Sequence, residues 1–488
     1  MKKIYLRLLI IVFTSFGLPS CKSSFLDVVP KGFLIASKTA DFDLLLNDPN
    51  FYEHFFGGGL QPMMILGDDV SAEESGFASA KIEAQRLFRW EDVVYQPGKA
   101  APDLSINLAN LYTVNKTINE VEDSDGEKFL KVRLKAEAHA LRAFIYFQLV
   151  NYYCKPYNSQ TASADPGFPL ITKADALANS FSRGTVQANY DLMINDLNTA
   201  IGQLPLEAKS RTRMSKPAAE ALLSKIYLFM GRYQEALTMM DQAFHDLSGS
   251  AIRLYDYNNE LADGGSFLPI SDEFGPGGPG NNPNDFTESV LAFTYYAGPY
   301  NGNGVGNNGL VLSAKAKALF GTNDQRLKLY SATFPSGGLN PSGRLRKYGV
   351  QYVKFGIELS EMYLIKAECE ARLNNLPAAR ADVETLRAKR MPKSDSSVPA
   401  ASASSGPQLV KFIIEERIRE YAFCGSRWLD MRRLSADPLF AASIYTHTLF
   451  PTNGTPGEVT DYVLKPERLV LRFPDNIMSA NPGLTNNP

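Results

Sequence analysis

The chain has 488 residues, 44% of them apolar and 11% aromatic, with 50 basic and 52 acidic side chains and a formal charge of −2. That composition supplies ample apolar surface for a large core and excludes an intrinsically disordered chain. It also excludes nucleic acid as a partner, because binding phosphates needs clustered Lys and Arg to displace counterions, and no such cluster stands out.

At the N-terminus, Lys2, Lys3 and Arg7 accompany an apolar stretch over residues 8–16, the layout of a secretion signal. The stretch is roughly half of the ~20 apolar residues a spanning helix needs, so it does not predict a retained membrane helix. Leu18-Pro19-Ser20-Cys21 follows and resembles the lipobox of bacterial lipoproteins, in which the cysteine is acylated and becomes the first mature residue. The chain therefore divides into a signal peptide, residues 1–20, and a single domain, residues 21–488, anchored through acylated Cys21. Loss of the three cations moves the charge from −2 to −5. Cys154, Cys369 and Cys424 lie far apart in helical patterns and read as buried small apolar residues.

The first Gly-rich and Pro-rich stretch, residues 55–69, ends in Asp68-Asp69, and a short strand pair is expected over residues 86–95. Residues 105–121 and 127–153 read as a helix pair, the second carrying Leu130, Leu134, Ala138, Leu141 and Phe144, and residues 190–204 as a further helix. The clearest unit is 215–244. Ser215 caps a helix with Pro217 in its first turn, Gly231 ends it, and Ala236 and Ala243 recur seven apart on a second helix, as in a tetratricopeptide helix-turn-helix. After a loop at 263–285, residues 290–296 read as a strand leading into a third loop, 297–309, and residues 310–320 as a helical run. Residues 358–390 repeat the paired-helix scheme around a turn at Asn374-Asn375. Residues 415–433 form a packed, charged helix in which Glu415 and Arg419, four apart, pair on one face, and Arg427, Asp430, Arg432 and Arg433 form a network at its end. The fold class is mainly α: tetratricopeptide-like helix pairs supporting an irregular, loop-rich half with a few short strands.

Catalytic patterns are absent. His54, His139, His245 and His447 are dispersed, and no His-Glu-x-x-His, Gly-x-Ser-x-Gly or metal-spaced cysteine pair occurs. Gly304-Val305-Gly306-Asn307-Asn308-Gly309 fits a dinucleotide fingerprint but sits in a Gly-rich and Asn-rich run without parallel βαβ units, so no cofactor is assigned. Asp68-Asp69 and Glu73-Glu74 read as exposed loop acids. Asp272-Glu273 and residues 281–285 lack the order of a calcium loop, so no metal is assigned.

Glu416-Arg417, Glu420 and the run Gly425-Ser426-Arg427-Trp428-Leu429-Asp430-Met431-Arg432-Arg433 resemble the C-terminal signature of the SusD/RagB family. Phe25-Leu26-Asp27 with Pro30, the run Glu361-Met362-Tyr363-Leu364-Ile365-Lys366-Ala367-Glu368, and the tail from Phe473-Pro474 to Asn487-Pro488 are similar to its other motifs. Two positions depart: Glu358 stands where an arginine is common, and Cys424 where a glutamate is usual. The resemblance implies about four tetratricopeptide-like pairs. It also implies a role: a lipid-anchored outer-membrane protein of Bacteroidetes-type bacteria, facing the cell surface, that binds oligosaccharides or peptides beside a SusC-like TonB-dependent transporter and performs no catalysis.

Sugar rings present C–H faces to aromatic side chains and hydroxyls to polar ones, so the aromatic loops fit that role. Trp90 is the leading stacking candidate, with Tyr95, Tyr295, Tyr296 and Tyr300 beside it and Asp69 and Arg86 as polar partners, whereas Trp428 belongs to the core. A helical-repeat scaffold for outer-membrane assembly and an anchored glycoside hydrolase using Asp68 and Asp69 are the competing readings.

Overall fold

Ser215 starts the best-defined helix pair, its hydroxyl accepting from the Ala218 N–H at 3.4 Å, with Pro217 in the first turn of the helix Lys216–Phe229. Gly231, at φ 74°, adopts the left-handed conformation that ends it, and the helix Tyr233–Asp246 follows at once. The two lie close because small residues meet between them: Ala236 and Ala243 are fully buried, and Ser224 Oγ donates to the Ala236 carbonyl at 2.6 Å. Replacing Ser215 by alanine removes the cap and is expected to cost about 1 kcal/mol, read as a lower urea midpoint with an unchanged slope.

In the computed structural model the described residues are 36–54, 61–178, 180–271, 275–280, 282, 284–296, 309–332, 342–347, 352–452 and 457–488. The signal segment, Cys21, Asp272-Glu273, Tyr300 and residues 304–308 of the glycine run lie outside them.

The other helices continue the same stacking. Lys128–Tyr153 packs against Pro102–Glu120 on one side and Val186–Ile201 on the other. Lys216–Phe229 lies on Val186–Ile201, and Tyr233–Asp246 on Leu359–Arg372, which pairs with Leu376–Arg387 across a turn where Asn374 is left-handed at φ 65°. Gly406–Tyr421 closes the row against Leu359–Arg372 and Leu376–Arg387. Buried ion pairs hold the stack in register: Arg142 grips Asp196 of the next helix through two bonds of 2.7 Å, and Arg213, in the loop before Lys216–Phe229, grips Glu137 at 2.5 and 2.7 Å. The helix pairs and their turns thus follow the apolar spacing of the sequence.

The irregular half is built on short strands. One sheet has the order Thr460–Val463, Thr446–Phe450, Val70–Glu73, Leu310–Leu312. A second has the order Glu53–His54, Thr294–Tyr296, Tyr352–Lys354. Ile357–Glu358 pairs with Ser289–Leu291 where this half meets the helices.

Several local expectations are corrected. Residues 86–95 form no strand pair: Ala84, Leu87 and Phe88 are buried at helical spacing, giving the helix Ile82–Phe88 and then coil. Residues 310–320 are not one helix. Leu310–Leu312 is a buried strand against Val70–Glu73, and Ser313 then caps the four-residue helix Ala314–Lys317. The strand expected over 290–296 is two strands with different partners. The charged helix of 415–433 breaks at residues 422–425, where Phe423 and Gly425 take φ of 65° and 85°, into Gly406–Tyr421 and Ser426–Ser435. Glu415 is exposed, and Arg419 turns instead to buried Glu416 at 2.8 Å. Cys154 and Cys369 are buried, but Cys424 is only partly so.

Candidate functional site

The break at 422–425 aims a backbone N–H and an arginine at the turn that joins the helix Gln61–Leu66 to the strand Val70–Glu73. There Phe423 N–H donates to Asp69 Oδ2 at 2.8 Å and Arg427 Nε to Asp68 Oδ1 at 2.5 Å, with Lys315 Nζ 3.4 Å from Asp68. Burial pushes the Asp69 carboxyl up to about 6, against the pull of the Phe423 amide. Burial acts on Asp68 in the same sense, but the Arg427 guanidinium outweighs it and holds this carboxyl below its usual range. Both acids are buried rather than displayed on a loop, because each has an internal partner. Their oxygens are thus committed to holding two distant parts of the chain together.

Trp90, at φ 50° and 5% exposed, donates its indole N–H to the Leu66 carbonyl at 3.2 Å. Its ring stacks on His447 at 3.8 Å, and Phe88 stacks on His447 at 4.4 Å, so the imidazole is sandwiched. His447 in turn places its ring nitrogens 2.6 Å from the Phe88 carbonyl and 2.7 Å from that of Gly67. Trp90 is therefore a core tryptophan here, with a face and its N–H already engaged. Tyr95 is also internal: its hydroxyl and that of Tyr153 both bond to Asp103, a buried acid on the helix Pro102–Glu120. Arg86 is half-buried and donates to the Val94 carbonyl at 3.3 Å, with Glu91 3.6 Å away. Trp428 is fully buried, as expected of a core residue.

Tyr295 and Tyr296 occupy the central strand of the three-stranded sheet. Tyr295, opposite Val353 and His54, turns inward and is 1% exposed. Tyr296, the next residue along, sits in register with Tyr352 on the neighbouring strand. Tyr352 was missed because its strand is only three residues long, leaving almost no alternation to read. Three of the chain segments outside the described residues, 55–60, 297–308 and 348–351, begin or end at these strands. The candidate residues thus do not form one cluster: Asp69, Trp90, Tyr95 and Tyr295 are interior, and Tyr352, partly buried on the edge strand, pairs in register with Tyr296 of the central strand. A separate apolar groove of about 210 Å³ runs between Leu108 and Tyr112 on one wall and Phe168, Phe181 and Phe473 on the other.

Among the described residues no three His, Cys, Asp or Glu side chains come together as a metal site, and no helix is long and apolar enough to cross a membrane.

Residues 101–228 match the family model described as starch-binding associating with outer membrane, and residues 293–488 match the model described as SusD family. SusD-like protein P2 of Formosa agariphila is 23% identical, the alignment covering 99% of this chain and 100% of the relative. A SusD superfamily protein of Bacteroides thetaiotaomicron has the same fold at 18% identity, with a TM-score of 0.69 over 92% of this chain and 100% of its own. A laminarin-binding SusD-like protein does so at 18% identity and a TM-score of 0.61, over 92% and 98% of the two chains.

Proposed function

Because the chain belongs to the SusD/RagB family, we propose that it captures oligosaccharides at the outer membrane and passes them to a SusC-like TonB-dependent transporter. The observation that carries the reading is the extent of the match: the two family models take in most of the helical scaffold and the paired strands that carry Tyr296 and Tyr352. A glycan is favoured over a peptide because the family description names starch and a protein of the same fold binds laminarin. In this reading residues 1–20 are removed, residues 21–488 form one domain, and acylated Cys21 tethers it to the membrane. Tethering keeps the binding protein beside its transporter at a high effective concentration. The internal bonding of Asp68 and Asp69 supports binding without hydrolysis, since glycoside cleavage uses two carboxyls set across a bond in an open cleft.

Affinity electrophoresis of the protein in gels containing laminarin, starch or xylan is expected to show retardation by at least one glycan. Tyr352→Ala should weaken that binding roughly tenfold, the scale of one stacking contact, while Tyr112→Ala in the separate groove leaves it unchanged. Binding to a peptide digest and to none of a broad glycan panel would overturn the choice of ligand. Failure to recover a TonB-dependent transporter with the protein from detergent-solubilised membranes would overturn the delivery step.

A further inference from the structure

Where the helices meet the Thr294–Tyr296 strand there is a cavity of about 40 Å³, walled in part by Phe144, Phe147 and Leu429. Two buried polar atoms of its lining residues have no hydrogen-bond partner: the hydroxyl of Tyr295 and Oε1 of Gln148, in side chains 1% and 7% exposed. A buried polar group left unsatisfied costs about 1–3 kcal/mol, so such atoms signal an occupant. The hydroxyl can donate and the amide oxygen can only accept, so the occupant must both accept and donate. Its size is bounded as well: the volume admits about two or three water-sized molecules and excludes a sugar ring.

The same cavity is lined by Cys424, the one cysteine among the described residues that is not fully buried. Lys347 Nζ donates to Sγ at 3.3 Å and is fixed there by a second bond, to the Ala422 carbonyl at 2.8 Å. An ammonium held beside the sulfur can donate a hydrogen bond to the oxygen that leaves the peroxide, where negative charge develops. Cys154 also has a cation against its sulfur, Arg183, and Cys369 has Arg433 and Arg372 near it, but neither cysteine lines this cavity. Both are buried in helical surroundings away from this cavity, and burial pushes the Cys154 thiol up to about 12.

We infer that Cys424 is an oxidation site for hydrogen peroxide, which the cavity receives between the Tyr295 hydroxyl and the Gln148 amide oxygen. Peroxide is little larger than water and both donates and accepts. The sulfur attacks one peroxide oxygen, and the S–O bond forms as the O–O bond breaks. The sulfur loses two electrons to the peroxide, the departing hydroxide takes up the thiol proton as water, and a sulfenic acid remains.

The full-length protein, treated with hydrogen peroxide and quenched into urea containing dimedone, is expected to carry the label at Cys424 at least tenfold faster than at Cys154 or Cys369. Lys347→Met and Tyr295→Phe should each slow labelling at Cys424 about fivefold or more, and Lys347→Arg should restore part of the rate. A second measurement needs no variant. In the folded wild-type protein the ratio of peroxide to iodoacetamide reactivity at Cys424 should exceed that of the urea-unfolded chain at least fivefold, because the cavity admits the smaller reagent. Equal labelling of all three cysteines, or a ratio that does not change on unfolding, overturns the proposal. Neither result bears on glycan binding, which is measured separately.

Discussion

Replacing Arg326 by methionine is expected to destabilise the protein by about 3–5 kcal/mol, the cost of stripping one partner from a buried ion cluster. The guanidinium is 2% exposed and reaches three carboxylates at once: Asp324 at 2.7 Å, Glu416 at 2.8 Å and Glu420 at 2.9 Å. Glu416 would keep Arg387 at 2.6 Å and Arg419 at 2.8 Å, and Glu420 would keep Arg390 at 2.7 Å. Asp324 has no other cation within ion-pair distance among the described residues, so most of the loss falls on it. Methionine keeps the apolar contacts of the arginine stem but leaves that charge in a site without solvent. The comparison is Arg380→Ala, which breaks an exposed i,i+4 pair with Glu384 at 3.6 Å and should cost no more than about 0.5 kcal/mol. Urea unfolding of both variants reads the difference. A shift for Arg326→Met as small as that for Arg380→Ala would show that the cluster contributes no net stability.

The same cluster shows what sequence patterns reveal and what they hide. That 415–433 would be a charged, packed segment was legible, since Ile413, Ile414 and Ile418 mark an inward face that its acids and bases must share. Which acid faced inward was not. Glu415 and Glu416 are adjacent, and the deciding contacts come from Arg326 and Arg387, dozens of residues away. The helix pairs were legible because caps, glycines and small residues act locally. The aromatic residues were not, because a large ring has the same sequence signal whether it packs against protein or against a sugar. Trp90 illustrates this: its stacking partner is His447, more than 350 residues later, on a strand that nothing near Trp90 foretells. Asp68 and Asp69 were misjudged for the same reason, their partners lying at 427 and 423.

Glu358→Gln is expected to raise stability by about 1 kcal/mol at pH 5 and progressively more above, by up to about 4–5 kcal/mol at pH 8.5. Glu358 is 8% exposed at the start of the helix Leu359–Arg372, where Ser289 Oγ donates to its Oε1 at 2.7 Å. Burial pushes the carboxyl from its ordinary 4.5 up to about 8, with Lys354 pulling the other way. The folded value lies above the unfolded one, so the folded chain holds a proton that the unfolded chain has released. The stability tied to that proton is complete below about 4.5 and is lost as pH rises towards 8, with a slope near 1.4 kcal/mol per pH unit. A glutamine keeps the size and still accepts from Ser289 but has nothing to ionise. Asp69, held near 6 by burial, adds its own pH slope to both proteins, and that slope cancels in the difference between them. Urea midpoints for wild type and variant at pH 5, 6.5 and 8 test the prediction. Curves that stay parallel across that range would mean that Glu358 ionises in the folded protein as readily as in the unfolded one, and that its burial is relieved by groups other than Ser289 and Lys354.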